Sequence, residues 1–192
     1  MAAFALLGLD RHGCGLDELG RVAAALRSPA APLVAIRAAT GADEAALLST
    51  CNRIEILLAG AALPADALLL AGARALAPAA WTVRRDQAAR RHLLRVACSL
   101  ESAAIGEAQI QGQVRDARNT AHALGSAGPL LLAAFDLALC VGKKVRRETD
   151  LARCGLDLPH RAVAHLRRAA PPTPARPIAL LGTGALAAAV LA

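Results

Sequence analysis

Tyrosine is absent from this chain, and two phenylalanines and one tryptophan are its whole aromatic content. A core without large rings must be built from Ala, Leu and Val, which favours closely packed helices. Lysine is almost missing as well: Lys143 and Lys144 apart, every basic side chain is an arginine. The five cysteines, at 14, 51, 98, 140 and 154, form no CxxC pair, which argues against a zinc ribbon or a thioredoxin-like site. The opening MAAFALLGLD has no basic leader and meets Asp10 too early for a signal peptide. Free thiols in the cytoplasm are therefore expected. No apolar run is long enough for a membrane span: residues 130–141 are broken by Asp136, and 178–192 is too short.

What is present is a globular composition, 56% hydrophobic and 19% charged, over 192 residues. That length holds one large domain or one and a fraction. The net charge of +7 suits a polyanion such as RNA, although an Arg- and Ala-biased genome gives the same figure.

The first half reads as mixed strands and helices. Phe4 to Leu9 reads as a buried strand, and Leu16, Leu19, Val22, Ala23 and Leu26 fall on one helical face ended by Pro29 and Pro32. Leu33 to Arg37 reads as a second strand, Pro64 to about Leu76 as a helix, and Trp81 to Val83 as a closing strand. From Asp86 the pattern is helical. Leu93, Val96, Ala97 and Leu100 share a face, then Ile110, Val114, Ala117, Ala121 and Leu124, then a helix over about 130–149. Gly112 inside the second of these implies either close helix packing or something approaching its backbone. Lys143, Lys144, Arg146 and Arg147 suit a solvated helix C-terminus or RNA phosphates. The expected fold is α+β: a small sheet with packed helices, then a helical part at 86–150 within a domain over 1–150. A helix and Pro-rich linker follow at 151–177.

The stretch LLSTCNRIEILLAG, residues 47–60, sets Cys51 in a polar bend between two strands. Such a bend is either an ordinary hairpin loop with a small buried cysteine or a mount for a nucleophile. Arg53 beside it would favour the thiolate, or form a two-pronged pair with a substrate carboxylate.

Three blocks then act together. LLSTCNRIEI, RHLLRVACSLESAAIGEAQIQGQVRDA and KKVRRETDL occur in the order found in glutamyl-tRNA reductases, the first two also at that family's spacing, and residues 47–151 resemble that family well. The resemblance implies an NADPH-dependent oxidoreductase of tetrapyrrole (porphyrin) biosynthesis, converting glutamyl-tRNA to glutamate-1-semialdehyde. Cys51 matches its nucleophile, which takes the glutamyl group as a thioester. Thr50, Asn52 and Arg53 match positions that bind that group, and His92 matches a histidine important for activity. Ser102, Glu107, Ala108, Gln109 and Gln113 match further substrate-binding positions. Read without the resemblance, His92 caps a packed helix, Ser102 is a helix N-cap and Glu107 steadies a first turn. His12, His122, His160 and His165 have surface roles by default.

The segment PIALLGTGALAAAV carries Gly182, Thr183, Gly184, Ala185, Leu186 and Ala187, which resemble the family's GxGxxA cofactor loop at the start of a Rossmann domain, residues 178–192. Too little chain follows for a complete unit, so this chain alone is expected to form and hydrolyse the thioester without binding NADPH. The resemblance also implies homodimers, formed through a region with no counterpart here, and a downstream aminomutase as a candidate partner. Departures from the pattern are LDRHGCG in place of an Asn-His-x-Thr stretch, Ala108 for a proline and Gln111 for a leucine. They leave an alternative open, a non-catalytic relative that binds tRNA or a partner chain.

Overall fold

A computed structural model describes residues 3–63, 81–151 and 158–169, with isolated positions 188 and 190. The helix expected over 64–76, the Pro-rich linker and the GxGxxA loop at 182–187 lie outside the described residues. Four strands, β1 (Ala3–Asp10), β2 (Glu44–Ser49), β3 (Arg53–Gly60) and β4 (Thr82–Arg85), form one antiparallel sheet in the order β2-β3-β1-β4. Helices α1 (Arg11–Ala25) and α2 (Ala30–Thr40) cover one face. Helices α3 (Asp86–Ala97), α4 (Gln109–Ala123) and α5 (Pro129–Glu148) cover the other. A further helix, α6 (Leu158–Ala169), follows. The expected mixed α and β architecture is what forms.

Strand alternation sorts the core into its layers. Ala5, Leu7, Ile56 and Leu58 face Leu33 and Ile36 of α2, while Leu9 and Ile54 face Leu19, Val22 and Leu26 of α1. Phe4, Leu6, Leu48, Leu57 and Ala59 face the three-helix side, where Leu93, Val96, Ile110, Val114 and Phe135 meet them. Both faces being covered, every residue of β3 is buried, Arg53 and Glu55 included.

Two sequence expectations need correction. Residues 33–37 are not a strand but the middle of α2, whose buried residues Leu33, Ile36 and Thr40 recur at helical spacing. Pro32 falls in the first turn, where no backbone N–H is required, and Gly41 closes the helix in the left-handed conformation (φ 68°). Prolines read as terminators here begin a helix. At Gly112 an added Cβ meets nothing within 4 Å among the described residues, so none of them packs closely against it. A glycine that is tightly packed within a helix is Gly142 in α5, where a Cβ would lie 2.7 Å from the Ala97 carbonyl oxygen of α3.

Two acidic side chains tie helices to the sheet. Glu44 of β2, buried, accepts from the backbone N–H groups of Leu130 (3.1 Å) and Leu131 (2.7 Å), filling orphan donors at the N-terminus of α5. Asp86, first residue of α3, accepts from the Phe4 N–H at 3.2 Å. Among the described residues no single helix is long and apolar enough to cross a membrane.

Candidate active site

The β2–β3 connection is built by Thr50. Its N–H donates to the Arg53 carbonyl at 2.8 Å, and its Oγ1 accepts from the N–H groups of Asn52 and Arg53, each at 3.2 Å. A hydroxyl that satisfies two turn donors stabilises a tight reversal without glycine. The reversal leaves Cys51 exposed, with Asn52 Nδ2 donating to its Sγ at 3.2 Å. Arg11 N–H donates to the Asn52 carbonyl at 3.2 Å, so the start of α1 braces the bend. Cys51 is thus displayed on a strand junction, not sealed among alkyl groups.

Beside the bend a cleft of about 210 Å³ opens on the three-helix face of the sheet. Gly8, Asp10, Arg53, Glu55, Thr82 and Arg84 form its floor, since strand register brings them to one face. His92 from α3 and residues 100–103 and 105 form its roof, with Arg11, His12 and Asn52 at one side. At its base Glu55 Oε1 lies 3.1 Å from Arg53 Nη1 and 2.7 Å from His92 Nε2, all three residues being buried. The Arg53 Nη2 donates to the Glu101 carbonyl oxygen, so the guanidinium joins floor to roof.

The roof segment is itself held in place. Ser99, at φ 64°, donates through Oγ to the Glu107 carbonyl at 2.9 Å, and the same oxygen lies within hydrogen-bond distance (3.3 Å) of Ser102 Oγ. Arg146 of α5 donates from Nη1 to the carbonyls of Gly106 (2.8 Å) and Glu107 (3.1 Å). The basic helix end read as solvated therefore includes one arginine that clamps this loop. Burial pushes the Glu101 carboxyl up, but the hydrogen bond and charge of Arg95, with His92 and Arg53 nearby, outweigh it and hold the group below its ordinary value.

This arrangement, an exposed thiol on a rigid junction beside a small polar cleft, matches a known domain. Residues 7–149 match the family model described as glutamyl-tRNAGlu reductase, N-terminal domain. The chain belongs to that family. It is 41% identical over 165 residues to the glutamyl-tRNA reductase of Rubrobacter xylanophilus, covering 81% of this chain and 38% of that one. It is 34% identical to that of Kineococcus radiotolerans, covering 98% of this chain and 44% of that one. The solved glutamyl-tRNA reductase from Methanopyrus kandleri superposes with a TM-score of 0.70 at 29% identity, covering 86% of this chain and 39% of that one. The chain thus spans about two fifths of the length of the relatives it matches.

Within this reductase domain the residues singled out by sequence fall into three groups. Asn52, Arg53, His92 and Ser102 line the cleft, with Cys51 and Thr50 in the adjoining bend. Glu107 and Ala108 end the roof segment, and Gln109 is the first residue of α4, whose N-cap position, Ala108, makes no side-chain cap. Ser102 lies seven residues before the first residue of that helix and is not its N-cap. Gln113 lines a different groove, between the end of α1 and α4, with Leu26, Leu47, Ser49 and Thr120. The cofactor-loop residues 182–187 are not among those described.

Sequence reasoning missed Glu55, Arg84, Glu101 and Arg146. Glu55 carried one signal, a carboxylate in a strand whose neighbours are apolar, two positions from a cationic residue. His12, assigned to the surface by default, lines the cleft.

Proposed function

We propose that this chain carries the acyl-transfer half of a glutamyl-tRNA reductase, taking the glutamyl group from glutamyl-tRNA onto Cys51. The observation that supports this most is the exposed Cys51 Sγ, presented by a Thr50-built reversal next to the Asn52–Arg53–His92 cleft in a chain of this family. The Cys51 thiolate attacks the ester carbonyl carbon, forming a C–S bond. The C–O bond to the terminal ribose breaks, and the departing oxygen takes a proton as tRNA leaves. Glu55 fixes the His92 ring through Nε2, so that this imidazole enters the cleft in one orientation. Thr50 and Asn52 shape the bend around the sulfur, and Ser102 faces the acyl group from the roof.

A nicotinamide cofactor (NADPH) bound to a complete reductase of this family would supply the hydride that takes the acyl group to glutamate-1-semialdehyde for tetrapyrrole synthesis. The residues that the resemblance assigns to its binding loop, 182–187, lie outside the described residues. A cytoplasmic setting suits a free, exposed Cys51. Single-turnover cleavage of glutamyl-tRNA tests the reading: wild type should release tRNA much faster than Cys51→Ser. Equal rates would end it.

A further inference from the structure

We infer that Arg146 is a positioning residue for the acyl-transfer step: by holding the roof of the cleft from α5, it sets where Ser102 stands over Arg53 and Glu55. The inference rests on the function proposed above and gives that site a determinant from outside it, since Arg146 does not line the cleft. Residues 99–107 leave the end of α3 and return to the start of α4 as a loop whose ends meet. The Gly106 N–H donates to the Ser99 carbonyl at 3.2 Å, and Ser99 Oγ donates to the Glu107 carbonyl at 2.9 Å. Ser99 (φ 64°) and Gly106 (φ 88°) turn the chain at the two ends, and residues 100–103 and 105 between them line the cleft.

A loop closed on itself can still tilt as one body, so ties from outside decide its position over the sheet. Among the described residues two such ties act on Glu101: Arg53 reaches its carbonyl from the floor, and Arg95 of α3 pairs with its carboxylate. Arg146 acts at the opposite end, donating from Nη1 to the carbonyls of Gly106 at 2.8 Å and Glu107 at 3.1 Å, where the loop joins α4. Its mount is rigid, because Gly142, one turn earlier, packs so closely on α3 that an added Cβ would lie 2.7 Å from the Ala97 carbonyl oxygen. Of the four basic residues at this helix end, Arg146 is the one that bonds the loop. Lys144 and Arg147 pair with Glu148, and Lys143 is exposed. Hydrogen bonds from a charged donor are the stronger kind, and a guanidinium fork holds direction better than an ammonium group. A reacting group displaced by about 1 Å costs roughly a hundredfold in rate, so a roof left free to tilt slows transfer.

The test is single-turnover release of tRNA from glutamyl-tRNA by the whole chain, over a range of protein concentrations, with amide hydrogen exchange measured alongside. Wild type, Arg146→Gln, Arg146→Lys and Lys143→Gln are compared; the last removes one exposed charge from the same helix end and controls for attraction of a polyanion. Arg146→Gln should lower the maximal rate roughly tenfold or more, with a half-saturating concentration within about twofold of that of Lys143→Gln. Lys143→Gln should keep the wild-type maximal rate. The Gly106 amide, bonded to Ser99, should exchange faster in Arg146→Gln while amides in the middle of α5 do not. Arg146→Lys keeps the charge without the fork and should lose a smaller factor, about threefold. It carries the test if Arg146→Gln does not fold, and a wild-type rate in it would then overturn the assignment. So would a wild-type maximal rate in Arg146→Gln, unchanged Gly106 exchange, or a loss confined to half-saturation and matched by Lys143→Gln. Cys51-dependent release that is as fast in Arg146→Gln as in wild type removes the positioning role and leaves acyl transfer standing. Wild type without Cys51-dependent release ends both.

Discussion

Glu55 Oε1 sits 2.7 Å from His92 Nε2, joining the middle of β3 to α3 beneath the candidate active site. The same oxygen holds Arg53, so one carboxylate compensates a buried guanidinium and orients an imidazole. Removing one member of a buried charged set costs about 3–5 kcal/mol, because the other charge is left without a counterpart. Glu55→Ala should therefore lose about that much stability in urea unfolding, and Glu55→Gln less. Wild-type stability in Glu55→Ala would show that Arg53 is not held this way.

The cap on α5 makes a second case. Glu44 accepts from two backbone donors at that helix start, and leaving a buried donor unmet costs about 1–3 kcal/mol. Glu44→Ala should destabilise by roughly this amount. Gly128→Ala should destabilise through the same carboxylate, since its Cβ would come 2.7 Å from Glu44 Oε1. Chemical denaturation of both variants checks this, and a neutral Gly128→Ala would mean that Glu44 swings aside freely.

Two glycines in neighbouring helices should respond in opposite directions. Gly112→Ala meets open space within α4 and should stabilise by about 1 kcal/mol through helix propensity. Gly142→Ala would drive a methyl group to 2.7 Å from the Ala97 carbonyl oxygen, forcing α3 and α5 apart at a cost of about 1–3 kcal/mol. Thermal melts of the pair check the sign; the same sign for both would contradict this packing.

The roof of the cleft carries a pH dependence. The Glu101 carboxyl is held below its ordinary value, so its ionised form is favoured by folding. Its contribution is complete above the unfolded value, about 4.3, and is lost as pH falls through the lower folded value. The stability difference between wild type and Glu101→Gln should hold constant near neutrality and shrink below about pH 4. A difference that instead grows on acidification would reverse the assigned sign.

Much of this architecture is legible in residue order, for reasons that are local. A short apolar run exposes β1, partial alternation β3, and helical spacing α3 and α4. The misreading of 33–37 shows the limit: a short apolar run beside two prolines fits a strand as well as a first helical turn, and Gly41 decides only once its φ is known. The polar bend was readable because Thr50, Cys51 and Asn52 are contiguous. Glu55 and Arg84 were not, since their roles come from register: β3 and β4 flank β1 on opposite sides, and no spacing along the chain places Arg84 over Gly8. Arg146 likewise reaches a loop some forty residues away, which a charge pattern alone reads as a helix end.

The most direct measurement of the central claim is peptide mapping after incubation with glutamyl-tRNA carrying a labelled amino acid and an acid quench. The account predicts one glutamyl unit on the peptide containing Cys51, none on that containing Cys98, whose thiol is buried and pushed up by that burial, and none in Cys51→Ser. Label persisting in Cys51→Ser, or absent from the Cys51 peptide while ester cleavage proceeds, would contradict it.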